Sequence, residues 1–167
     1  MSQTLKAAII GGGVIGGGWT ARFLLNGWDV SVFDPDPDAE RKIGEVLDNA
    51  RRSLPSLYNY SLPAEGALSI VDGIDKAVSG AQWIQESVPE RLDVKQGAYR
   101  DIQAYAPEDA VLASSTSGFK PSELCADASR PGQILVVHPF NPVYLLPLVE
   151  IVPSPHTDPA IRDRSIE

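Results

Sequence analysis

Gly11-Gly12-Gly13-Val14-Ile15-Gly16 reads G-x-G-x-x-G at positions 11, 13 and 16. Glycines at that spacing suit a main chain that turns tightly and then offers bare N–H groups to an anion. Gly11 permits the turn, Gly13 lets a pyrophosphate approach the backbone, and Gly16 lets the following helix pack closely. Val14 and Ile15 supply the first free N–H groups of that helix. Asp34 stands 21 residues after Gly13, where a carboxylate accepts hydrogen bonds from ribose hydroxyls and repels a 2′-phosphate. Arg41 is the first basic residue beyond it. These residues predict a dinucleotide site that takes NAD in preference to NADP.

A second set lies in the run His138-Pro-Phe-Asn-Pro-Val-Tyr-Leu-Leu-Pro-Leu-Val-Glu150. A histidine titrates near working pH and can take a proton from a substrate oxygen. A carboxylate beside it fixes its tautomer and stabilises the imidazolium. Taken out of context, however, a histidine at the end of a strand is more often structural. His138 and His156 are the only histidines, and no Cys/His cluster has metal-ligand spacing, so no metal site is expected. Ser114-Ser-Thr-Ser-Gly118 is not the G-x-S-x-G elbow of a hydrolase.

The elements that must position these residues alternate in type. Strands are expected at Lys6–Ile10, Val30–Phe33, Leu68–Val71, Trp83–Val88, Val111–Ser114, Ile134–Val137 and Leu146–Val152. Between them, helical patterns fit Val14–Asn26, residues 38–58, Ile74–Val78, Leu92–Tyr105 and Pro121–Ala126, and a last helix begins at Asp158. Strands that alternate with helices predict an α/β fold of the Rossmann type: a doubly wound, mostly parallel sheet with helices on both faces.

The 167 residues suffice for one domain with a buried core. Twenty-two acidic against fourteen basic side chains give a net charge of −8, which argues against nucleic acid or an anionic membrane as partner. No apolar run approaches the roughly 20 residues of a membrane span. The single cysteine, Cys125, excludes an internal disulfide and is expected to be a small buried residue. With no secretory leader recognisable at the start, a cytoplasmic location is expected.

The glycine run and the His138–Glu150 run together resemble the 3-hydroxyacyl-CoA dehydrogenase family, whose pattern is H-x-F-N-P…L-V-E. Glu86-Ser-Val-Pro-Glu90, Lys95 and Ser114-Ser-Thr-Ser117 follow in the family's order, so the resemblance runs from Lys6 to Val152. It implies that His138 is the catalytic base and that Glu150 orients it. It also implies that Ser117 and Asn141 bind the substrate oxygen, and that Glu90 and Lys95 lie near the nicotinamide half of NAD. Such a set suits oxidation of a secondary alcohol, in which oxygen loses a proton while a hydride leaves carbon. Without the resemblance, Glu90 and Lys95 read equally well as solvated charges at a helix start.

Within the family, the runs Trp83–Arg91, Ser114–Gly118 and His138–Glu150 are similar to the branch that oxidises L-carnitine to 3-dehydrocarnitine. The acyl-CoA enzymes usually carry Asn at position 115 and often Phe at 139. Sugar-acid dehydrogenases of the lambda-crystallin type, acting on L-gulonate, share the His-Pro pair and the tyrosine and remain rivals. Family members continue into an all-helical domain that completes the substrate pocket and a homodimer interface. Residues 1–167 are therefore expected to be a truncated NAD-binding domain. The rival outside the enzymes is an NAD-binding fragment without turnover.

Overall fold

The structure, a computed structural model, describes residues 4–166. Strand β1 (Lys6–Ile10) runs into the glycine turn and helix α1 (Val14–Leu25), which leads to β2 (Asp29–Phe33). Helix α2 (Ala39–Ser53), β3 (Leu68–Val71), α3 (Ile74–Val78) and β4 (Trp83–Glu86) follow. Then come α4 (Leu92–Tyr105), β5 (Val111–Ser114), α5 (Pro121–Leu124), β6 (Ile134–Pro139), β7 (Val149–Pro153) and α6 (Pro159–Ile166). Seven strands form one sheet in the order β3-β2-β1-β4-β5-β6-β7. Every pairing is parallel except β6 with β7.

The period of two in the strands divides the core. Ala7 and Ile9 of β1 face one side, with Trp19 and Leu24 of α1 and Ile43 and Leu47 of α2. Ala8 and Ile10 face the other, with Ala77 of α3, Tyr99 and Ile102 of α4, and Leu124 of α5. Both faces of the central strands are covered, which is why Ala7–Ile10 and Ile134–Val137 read as continuous apolar runs. The chain winds outward in both directions from β1 and β4, so their carboxyl ends flank the crevice where such sheets bind ligands. Cys125 is buried, as expected. Among the described residues, no helix is long and apolar enough to cross a membrane.

Several boundaries differ from expectation for local reasons. The helix expected over residues 38–58 stops at Ser53 and tightens into a 3-10 turn over Leu54–Leu57, because Pro55 has no N–H to continue the ladder. β4 ends at Glu86 rather than Val88, since the Val88 N–H turns back to Glu86 Oε1. Helix α5 stops at Leu124, two residues short of expectation. The last strand begins at Val149, not Leu146. The Leu145 and Leu146 N–H groups both bond the Pro142 carbonyl in a turn, and Pro147 has no N–H to give. In the last helix, Glu167 lies outside the described residues.

Candidate active site

The glycine turn is built by conformation and by close approach. Gly11 has φ +98, and a Cβ there would lie 2.6 Å from the Ser87 carbonyl oxygen. At Gly16 an added Cβ would stand 1.8 Å from the Gly11 carbonyl oxygen, so only glycine lets α1 start this close to the turn. Gly13 differs, since nothing lies within 4 Å of the place its Cβ would take. The open space beside the α1 N-terminus leaves room for a phosphate, and the first N–H groups of the helix have no partner within it. Val14 is exposed there, and Ile15 is half-buried.

Asp34 ends β2 at the mouth of the same turn. Its Oδ2 accepts the Gly12 N–H (2.5 Å) and its Oδ1 accepts the Asp36 N–H (2.8 Å). It lines a cleft of about 690 Å³ with Gly11, Gly13, Phe33, Ser87 and Val88. Among the described residues, the charged ones on that cleft are Asp34, Asp93 and Asp101, with no cation. A nucleoside's flat apolar ring and hydroxylated sugar suit this lining, whereas a 2′-phosphate would meet carboxylates.

A second cavity, of about 220 Å³, continues from the first through Ser87 and Val88. It is lined by Ile15, Glu90, Lys95, Ser115 and Ser117 as well. Lys95 is not the solvated helix-start charge that bare sequence allowed. Its side chain is 1% exposed and its Nζ lies 2.8 Å from Glu86 Oε1 and 3.2 Å from Glu90 Oε2. Glu90 is half-exposed, and its Oε1 accepts the Thr116 hydroxyl and the Ser117 and Gly118 N–H groups. Burial pushes the Glu90 carboxyl up, but the Thr116 hydroxyl, the Lys95 ammonium and the Gly118 N–H outweigh it and hold it below the usual carboxylate range.

Glu86 is the residue that sequence reading quoted but did not single out. It is 0% exposed, and its Oε2 accepts the Tyr99 and Ser114 hydroxyls at 2.7 and 2.6 Å. Burial and the neighbouring Glu86 carboxylate drive the Tyr99 phenol far up, so it stays a donor. The signal available in sequence was a glutamate closing the strand Trp83–Glu86. Its partners, 9 to 28 residues away, were visible only in the fold.

The twelve-residue spacing of His138 and Glu150 acquires its meaning in the antiparallel β6–β7 ladder, where the two residues stand directly opposite. His138 Nδ1 lies 2.8 Å from Glu150 Oε2. The imidazole is 26% exposed and the carboxylate 59%. Both line a third cavity, of about 260 Å³, with Thr116, Ser117 and Lys120. Ser117 also lines the Glu90–Lys95 cavity and so stands where the two meet. Asn141 follows β6 in an exposed turn, before a cis peptide bond to Pro142, and is not among the residues lining the cavity of His138.

Comparison with known proteins places this geometry. The family model for the NAD-binding domain of 3-hydroxyacyl-CoA dehydrogenase matches residues 6–167. The chain is 68% identical over 161 residues to an L-carnitine dehydrogenase/betainyl-CoA thioesterase of Ruegeria pomeroyi, covering 96% of this chain and 33% of that protein. It is 55% identical over 160 residues to an L-carnitine dehydrogenase of Mesorhizobium japonicum, covering 95% and 44%. A solved structure of 5-formyl-3-hydroxy-2-methylpyridine 4-carboxylic acid 5-dehydrogenase, an NAD+-dependent dismutase, superposes with a TM-score of 0.89 at 32% identity, over 98% of this chain and 53% of that one. The chain thus spans a third to a half of the length of these relatives. Matched to that model over residues 6–167, with the glycine turn and Asp34 on one cavity and the His138–Glu150 pair on another, it belongs to the 3-hydroxyacyl-CoA dehydrogenase family and is built as that family's NAD-binding domain.

Proposed function

We propose that this chain is the cofactor-binding part of a dehydrogenase that oxidises the 3-hydroxyl of L-carnitine to 3-dehydrocarnitine. The observation that carries the chemistry is the 2.8 Å His138–Glu150 pair in one cavity with Ser117, at the far end of a crevice that starts at Asp34. The substrate is supported by relatives named L-carnitine dehydrogenases at 68% and 55% identity.

In this reading the adenosine half of NAD lies along Asp34, the pyrophosphate over Gly13 and the α1 N-terminus, and the nicotinamide beside Glu90, Lys95 and Ser117. Bound NAD supplies the hydride acceptor. With Nδ1–H donated to Glu150, His138 keeps an Nε2 lone pair to take the hydroxyl proton, and the Glu150 carboxylate stabilises the resulting imidazolium. Ser117 donates to the substrate oxygen as it becomes a carbonyl, a role that the family resemblance also gives to Asn141.

The remainder of the enzyme, by the same reading, is an all-helical domain that closes the pocket and pairs two copies in the cytoplasm. The test fuses this chain to the remaining length of its Mesorhizobium relative and follows NADH absorbance. L-carnitine should be oxidised with a kcat/KM well above those for 3-hydroxybutyryl-CoA and L-gulonate. A higher kcat/KM for either competitor would overturn the substrate.

A further inference from the structure

The cavity beside Ser117 holds a charge that binding and proton transfer do not use. Glu86 is fully buried and saturated. Its Oε1 takes the Lys95 ammonium (2.8 Å) and the Val88 N–H (2.9 Å), while its Oε2 takes the Tyr99 and Ser114 hydroxyls. Lys95 spends its other contacts on Glu90 Oε2 and the Val88 carbonyl (3.3 Å). Two carboxylates against one ammonium leave one net negative charge. Among the described residues no further ionisable side chain lines that cavity, so nothing in its wall cancels it.

A hydroxyl or an amide would have satisfied Tyr99, Ser114 and the Val88 N–H without the cost of burying an ion pair. What the second carboxylate adds is sign. Without Glu86, Lys95 and Glu90 would sum to zero. With it, the pocket wall is negative, and it is shielded from water on the side where Glu86 lies. The nicotinamide ring carries a positive charge when oxidised and none when reduced, and a charge in a partly desolvated site discriminates strongly between those forms.

We infer that Glu86, acting through Lys95 and Glu90, biases the cofactor pocket toward the oxidised form of NAD, raising affinity for NAD+ relative to NADH. The inference rests on the reading above that the nicotinamide enters this cavity. It makes Glu86 a positioning and electrostatic residue, since it touches neither substrate nor cofactor.

The test measures dissociation constants of ADP-ribose, NAD+ and NADH on the chain itself, unsubstituted and as Glu86→Gln. Glutamine keeps the shape and can still accept from Lys95, while the Tyr99 and Ser114 hydroxyls rotate to suit. The ratio Kd(NADH)/Kd(NAD+) should fall about threefold or more, with ADP-ribose unchanged because it lacks the charged ring. Glu90→Gln removes the same net charge at a half-exposed position and should shift the ratio in the same direction, so it decides the matter if Glu86→Gln does not fold. A structural pin would weaken NAD+ and NADH alike, and an unchanged ratio in a folded variant overturns the inference. Failure of the unsubstituted chain to bind even ADP-ribose would instead overturn the cofactor reading, and this inference with it.

Discussion

Asp34 takes the Gly12 N–H on one oxygen and the Asp36 N–H on the other, so it holds the glycine turn as well as facing the cleft. Asp34→Ala removes a charged hydrogen bond of about 1.5–3 kcal/mol along with the repulsion of a 2′-phosphate. NAD affinity should fall tenfold or more while NADP affinity changes much less, and titration calorimetry with both nucleotides reads the gap directly. Equal affinities for NAD and NADP in the unsubstituted chain would defeat the role given to Asp34. At the other end of the crevice, His138→Ala and Glu150→Gln should each lower kcat in the fused enzyme with little change in NAD affinity. Because the two act as one unit, the double variant should lose less than the product of the single losses. Near-normal kcat in either single variant would make the pair structural.

At the scale of the elements, α1 tests how the turn works. Gly13→Ala adds a methyl into open space, so its melting temperature should stay within about a degree of the parent while NAD affinity drops sharply, the methyl standing where a phosphate must come. Gly16→Ala drives a Cβ into the Gly11 carbonyl, and should lose both stability and binding. Thermal melts and NAD titrations of the two variants separate a contact with ligand from a contact within the fold. If Gly13→Ala binds NAD normally, the pyrophosphate is not where Gly13 leaves room for it. The same element was the most legible in sequence, because strand, glycine spacing and the apolar helix that follows all specify one local geometry. The pairing of β6 with β7 was not legible. Both read as apolar strands, and nothing local says that the second runs back along the first. That reversal turns a spacing of twelve into a hydrogen bond of 2.8 Å. Lys95 shows the same limit, since a lysine in the first turn of a helix looks solvated until Glu86, Val88 and Glu90 close around it.

Over the whole molecule, the cleft at Asp34 holds about 690 Å³ and the cavity at the His138–Glu150 pair about 260 Å³. Glu150 is more than half exposed, and Leu146, Leu148, Val149 and Val152 leave an apolar surface on and before β7, one of the sheet's two edges. Turnover needs the substrate held within reach of both the His138 imidazole and the nicotinamide, and a slight misplacement costs on the order of a hundredfold in rate. The His138 imidazole is 26% exposed and the Glu150 carboxylate 59%, so water reaches the pair, and the developing charge would be screened. The 167-residue chain alone should therefore bind NAD while forming NADH from L-carnitine at no more than about a hundredth of the rate of the fused enzyme. Single-turnover NADH absorbance at saturating carnitine measures the two rates, and titration calorimetry measures NAD binding to the chain alone. A rate from the isolated chain within tenfold of the fused enzyme would mean that these residues complete the catalytic site by themselves.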